Sequence, residues 1–275
     1  MTFGAADERA HAPGTTAGWW ETWHLDAAGD GIGCSVRLAL APALGIAWWW
    51  THLFLPDVAG AVVVRDHEVG LPRQGLEIRA DGLWAELTCE TPFEHWTYGL
   101  EAFGVRLDDP AESLRGEIGE RLPVGLDLEW EVDTEFNAVL DGGTTGYAQF
   151  GRVHGEVLIG RARYELDALG LRSHAWGMPA REVPSTAAWV RGTDLALTLT
   201  SDERAVVDTT RGADGFPVAA RFVVDDLEID ADVLGLVVVP LAETAVLARA
   251  QCRYQVRAGP AGDARAAVGW ATWLE

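Results

Sequence analysis

From Trp19 onward the chain alternates, apolar and polar residues trading places with a period of two. This constrains the fold more than any single motif. Glu21-Thr22-Trp23-His24-Leu25 is one such run, and Gly29-Asp30-Gly31, Asp81-Gly82 and Gly192-Thr193-Asp194 supply turn chemistry between runs. Successive strand side chains point to opposite faces, so this pattern reads as half-buried strands joined by tight turns. No stretch of helical length shows the i, i+3, i+4, i+7 spacing of an amphipathic helix. The best helix candidate is Pro110 to Gly119, with Asp109 as cap and Pro110 at the first position. Many short strands at this spacing predict an all-β protein: two tandem antiparallel barrels, or a barrel plus a sandwich.

Residues 1–18 are polar and read as a flexible N-terminal arm. The glycine-rich stretch from Asp141 to Gly146 is the best domain boundary, giving expected β domains at 19–143 and 144–275. The longest apolar run, Leu38 to Leu55, is interrupted by Pro42, Gly45, Thr51 and His52, so no membrane insertion is expected. The first residues lack a basic stretch followed by an apolar one, so no secretory leader is expected. Three separated cysteines, Cys34, Cys89 and Cys252, read as free thiols in a reducing compartment, and the expected location is cytoplasmic.

Charge removes several function classes. The formal net charge is −21, and the basic residues are all arginine. Nucleic acid and anionic membranes need cations to displace counterions, so neither is an expected partner. The lack of lysine excludes a Schiff-base lysine and a phosphate-loop lysine. Neither GxSxG nor GxGxxG occurs, which disfavours serine hydrolases and dinucleotide enzymes. The seven histidines form no HxH or HxxxH pair and the cysteines no CxxC pair, so neither a metal nor a cofactor is expected. A hydrophobic small molecule remains compatible. Nothing in the pattern sets an oligomeric state.

Four stretches carry candidate chemistry. In Trp48-Trp49-Trp50 the alternation puts Trp48 and Trp50 on one face, either as barrel core or as the lining of a ligand cavity. Glu94, Trp96 and Tyr98 share a face; a carboxylate beside two rings can have a raised pKa and donate a proton, or Glu94 can simply start a strand in solvent. Tyr147 and Gln149 share a face, and Glu156 follows in an apolar run, either on a solvated face or buried with a partner such as Arg152 or Arg172. Arg172, His174 and Trp176 also share a face. His174 there is a proton donor, a water-orienting group or a structural anchor.

The order of these residues resembles a known family. A Trp-rich opening strand, Cys89-Glu90-Thr91-Pro92 followed by His95-Trp96, Tyr147-x-Gln149 with Gly155-Glu156, and a closing Arg172-x-His174-x-Trp176-Gly177 are similar to the uncharacterised bacterial families related to hydroxyneurosporene synthase. These are the carotenoid hydratase and AttH-like proteins. Fungal pericyclases and a group of stress proteins are more distantly similar. The resemblance implies tandem lipocalin-like barrels and an isoprenoid, polyketide or steroid-like ligand. As an enzyme, such a chain would hydrate an alkene or cyclise its substrate. Glu94 and Glu156 would be acids, His174 a water-orienting base, and Trp48, Trp50, Trp96 and Tyr98 an aromatic wall. Tyr147, Gln149, Arg172 and Trp176 would complete the ligand contacts. Relatives tend to carry Arg-Asp-His-Ser-Trp-Gly where this chain has Ser173 and Ala175, so roles of that aspartate and serine do not carry over. The alternative is a non-catalytic intracellular lipid carrier or a stress-related structural protein.

Overall fold

The computed structural model describes residues 3–13, 18–116, 119–134, 137–141, 144–177, 186–201, 205–242, 245–259 and 262–275. Its strands in chain order are β1 (Trp20–Ala28), β2 (Gly33–Ala41), β3 (Ile46–Leu55), β4 (Val58–Gly70), β5 (Leu76–Ala80) and β6 (Leu83–Thr91). Then come β7 (His95–Leu107), β8 (Glu120–Val132), β9 (Asn137–Asp141), β10 (Thr144–Ile159), β11 (Ala162–Gly177) and β12 (Thr186–Gly192). The last are β13 (Leu195–Thr200), β14 (Ala205–Arg211), β15 (Pro217–Val224), β16 (Leu227–Ala242), β17 (Ala245–Ala258) and β18 (Arg265–Leu274). No helix among the described residues is long and apolar enough to cross a membrane.

The strands form two antiparallel sheets. In the first, the order β4-β3-β2-β1-β11-β10-β8-β7 closes on itself through a β4–β7 pairing, making a barrel. β6 and β5 continue from β7, and β9 adds to β10. The second sheet runs β13-β12-β18-β17-β16-β15-β14. The chain divides into two compact units. One holds β1 to β11 apart from Phe54–Ala61 at the β3–β4 turn; the other holds that turn, Leu107–Gly119 and the strands from β12 on.

Opposed residues of an antiparallel pair lie on one face, so the register identifies the barrel interior. Trp96, Trp130, Val153 and Ala168 follow one another across β7, β8, β10 and β11, all buried. Leu38, Trp23, His174 and Tyr147 do the same across β2, β1, β11 and β10. Glycine makes room for the large rings. A Cβ on Gly151 would come 2.5 Å from Trp130 Nε1, and one on Gly170 would come 2.6 Å from Val153 Cγ2. The second sheet packs its own core from Val190, Phe222, Ile229, Cys252, Tyr254 and Trp273.

Three expectations change. The boundary expected between residues 143 and 144 falls inside the first sheet. Asp141 pairs with Thr144, β10 pairs with β8, and β11 pairs with β1. Glycine marks a hairpin turn as readily as a linker; Gly142 and Gly143 themselves lie outside the described residues. The expected arm is, in its described part, folded: Ala5–Glu8 is a 3-10 helix, and Phe3 and Glu8 are buried. The expected helix is a shorter 3-10 turn, Pro110–Arg115. Asp109 caps it by accepting from the Ala111 N–H at 2.9 Å, and Gly116, at φ 91°, ends it.

Candidate functional site

β11 turns Arg172, His174 and Trp176 toward the barrel interior because they alternate with Ser173 and Ala175. Arg172 is 1% exposed. Its guanidinium donates to both oxygens of Glu8 at 2.9 and 2.8 Å and to Gln149 Oε1 at 2.6 Å. It also lies over three rings, 5.0 Å from Trp96, 4.9 Å from Trp130 and 5.3 Å from Tyr147. The planar fork suits a carboxylate, and the ring faces favour the cation. Burial works against the Arg172 charge, but Glu8 and the surrounding hydroxyls outweigh it and raise its pKa. Burial likewise pushes the phenols of Tyr98 and Tyr147 up, with Arg172 pulling the other way.

Phe93 completes this knot. Its N–H donates to Glu8 Oε1 at 2.9 Å and its carbonyl accepts from Gln149 Nε2 at 3.1 Å. Phe93 holds φ at 63°, a strained value for a residue with a side chain, and both its backbone groups are engaged.

The second half of the site centres on Glu21 of β1, 1% exposed. His174 Nε2 lies 2.8 Å and His11 Nδ1 2.7 Å from Glu21 Oε1. The His11 N–H donates to both Glu21 oxygens, at 3.1 and 3.0 Å. Trp23 stacks on His174 at 4.5 Å and Trp176 stacks on His11 at 3.8 Å. Burial lowers the His174 pKa; Glu21 opposes this, and the charges of His11 and Arg172 add to it.

Beside Glu8 opens a cleft of about 590 Å³, lined by Glu8, Arg9, Leu76, Leu87, Cys89 and Trp96 among others. Leu76, Leu87, Cys89 and Trp96 lie on the inner face of β5, β6 and β7, and Glu77, Glu86 and Thr88 alternate to the other, so the cleft is lined from both faces. Cys89 is half-buried, and burial first, then the Glu8 charge, push its thiol up to about 11. A larger open groove of about 710 Å³ runs along the opposite face past Trp84, Phe103 and Leu158; Phe103 there is 62% exposed.

The fold brings together Trp96, Tyr98, Tyr147, Gln149, Arg172, His174 and Trp176. It does not bring in the two expected acids. Glu94 is exposed in the turn before β7. Glu156 is partly exposed and pairs with Arg163 at 2.8 Å. Both lose the apolar surroundings that would have made them proton donors. Trp48 and Trp50 also lie elsewhere. Trp48 meets Trp20 and His67, and Trp50 lies under Arg37. Trp20 and Arg37 alternate with Glu21 and Leu38, so these rings occupy the opposite face of the barrel wall. Sequence reading missed Glu8, His11 and Glu21. The first two stand in a polar stretch with no local signal of burial, and Glu21 looks like any outward polar residue of an alternating strand.

The chain belongs to the family described as a domain of unknown function, DUF7064, whose family model matches residues 4–197. None of the curated proteins matches it. Among solved structures, it is similar to kievitone hydratase from Nectria haematococca, with a TM-score of 0.58 and 10% identity over 99% of this chain and 92% of that one. It is also similar to CghA, solved with Sch210972, with a TM-score of 0.51 and 10% identity over 94% of this chain and 88% of that one. At this identity the likeness is one of fold: a tandem antiparallel β architecture, as the alternation predicts, of the lipocalin-like kind that the resemblance implies.

Proposed function

We propose that this DUF7064 protein binds an apolar small molecule of isoprenoid, polyketide or steroid-like type at the mouth of its first barrel, and transforms it by alkene hydration or by cyclisation. The observation that carries the reading is the cleft of about 590 Å³ floored by Leu76, Leu87 and Trp96 and edged by Glu8. Its volume falls within the roughly 300–1,000 Å³ of small-molecule sites, and Leu76, Leu87 and Trp96 give it an apolar floor beside a polar rim of Glu8, Arg9, Gln74, Glu77, Glu86 and Thr88. A net charge of −21 favours a neutral or weakly cationic guest. The two similar folds, one a hydratase by name and one solved with a small molecule, support the same reading.

One observation favours a carrier without catalysis. Glu8, the carboxylate at the cleft edge, has both oxygens engaged by Arg172 and one also by the Phe93 N–H. Both of its oxygens thus accept hydrogen bonds from within the protein.

Displacement of an apolar fluorophore tests binding. Wild type should bind it saturably, and Leu87→Trp, which fills the cleft floor, should lose it. Equal binding by both proteins would remove the cleft from consideration. Native mass spectrometry of protein from its own host, read for a co-purified terpenoid, polyketide or sterol, names the guest. Incubating that guest with protein and finding either a mass gain of one water or an isomer of the guest separates enzyme from carrier.

A further inference from the structure

Glu21 gathers nitrogen donors unusually closely. His11 Nδ1, Glu21 Oε1 and His174 Nε2 come from the N-terminal segment, β1 and β11, and the donor atoms of the three residues lie within 4.8 Å of one another. Two imidazoles and one carboxylate, with donor atoms this close, are a ligand set for a zinc-type ion. We propose that His11, Glu21 and His174 bind one divalent transition-metal ion and thereby clamp the N-terminal segment to the barrel. This site goes beyond the cleft reading and does not depend on it.

Three features favour a metal over a simple hydrogen-bonded clasp. The first is preorganisation: His174 is stacked on Trp23 and His11 on Trp176, so neither ring is free to turn away. The second is an outer partner. Asp7 Oδ1 lies 3.4 Å from His11 Nε2, the nitrogen that faces away from Glu21, in the carboxylate–histidine order that orients metal-bound imidazoles. The third is access. Glu21 and His174 are sealed, at 1% and 0% side-chain exposure, while His11, at 21%, reaches solvent.

The spacing asks for a modest adjustment. The ring nitrogens are 2.7 and 2.8 Å from Glu21 Oε1. Ligands of a tetrahedral zinc stand roughly 3.3 Å apart, given metal–ligand distances of about 2.0–2.2 Å. Both contacts to Glu21 must lengthen by about 0.5 Å, which small shifts of all three side chains supply while the stacked rings keep their planes. The ion takes the ring nitrogens that now face the carboxylate, and each imidazole then carries its proton on the opposite nitrogen, which in His11 is the Nε2 that Asp7 meets.

Chelator-treated protein titrated with zinc chloride in a calorimeter provides the test. Wild type should take up one equivalent and gain thermal stability. His11→Ala should weaken binding by more than about a hundredfold, beyond the 10–100-fold that loss of an outer partner brings, and Asp7→Asn by about tenfold. His11 is on partly exposed chain, so its variant is expected to fold, as an unchanged circular dichroism spectrum would verify. His154→Ala controls for the surface group of Glu129, Glu131 and His154 and should leave the tight site intact. Failure of wild type to bind zinc, or binding that survives His11→Ala and disappears in His154→Ala, would overturn the assignment and leave a clasp of hydrogen bonds.

Discussion

Arg172 and Glu8 share two hydrogen bonds across 164 positions of sequence, with both side chains 1% exposed. Removing one partner leaves the other charge buried, which costs about 3–5 kcal/mol, while replacing both by apolar groups is often neutral. Glu8→Gln should therefore unfold at markedly lower urea concentration than wild type, and Glu8→Leu with Arg172→Met should recover much of the loss. A Glu8→Gln midpoint equal to wild type would show that the pair does not hold the N-terminal segment in place.

Stability should fall with mild acid. His174 faces Glu21 and Trp23 of β1, His11 of the N-terminal segment, Tyr147 of β10 and Arg172 of its own strand. Burial first lowers its pKa in the folded state. The unfolded chain then takes up the proton at higher pH. Stability from this group is full above the ordinary histidine value of about 6.5 and is lost as pH falls from there through the lower folded value. Asp7 is also lowered, chiefly by the Gly4 N–H, but its contribution is lost only in the more acidic carboxylate range. Urea midpoints of chelator-treated protein across this window should slope downward with acid, and His174→Gln should flatten the slope. A wild-type curve flat from neutral pH to the carboxylate range contradicts the reading.

Gly151 lets Trp130 lie over the barrel interior and against Arg172. A Cβ there would press into the Glu131 carbonyl and come 2.5 Å from Trp130 Nε1. Gly151→Ala should cost about 1–3 kcal/mol by overpacking. Displacement of the indole should also shift tryptophan emission to the red. An alanine variant with wild-type melting temperature and emission would mean that the strands yield more easily than their pairing suggests.

Cys89 borders the cleft, yet burial and the Glu8 charge push its thiol up to about 11. Thiolate is the reactive form, so the native protein should resist iodoacetamide at neutral pH. Intact mass should show Cys89 labelled first as pH rises, with the buried Cys34 and Cys252 labelled only after denaturation. Rapid alkylation of Cys89 at neutral pH would point to a more open cleft mouth.

The sheet-forming segments were legible because alternation is a local property of the chain. Tyr147 with Gln149, and Arg172 with His174 and Trp176, were assigned to common faces on that basis, and these faces do build the site. What alternation cannot give is which face closes inward, and Trp48 and Trp50 fell on the other side of the wall for that reason. Domain limits depend on strand partners distant in sequence. The glycines near residue 142 look like a linker until β11 is seen to pair with β1. Glu8 and His11 were illegible for a related cause: their burial is decided by Arg172 and Glu21, and no property of the first residues announces it.

The pairing of β1 with β11, Trp20 opposite Gly177, bears on how the chain is made. A nascent polypeptide presents β1 and β2 long before the ribosome has delivered the strand that completes their neighbourhood. Until then β1 keeps an unpaired edge rich in tryptophan, the kind of surface that invites sticking to other chains. Closing so long a loop is also entropically slow. Translation halted ahead of Gly177 would leave no smaller working barrel, only an open ribbon in need of a chaperone.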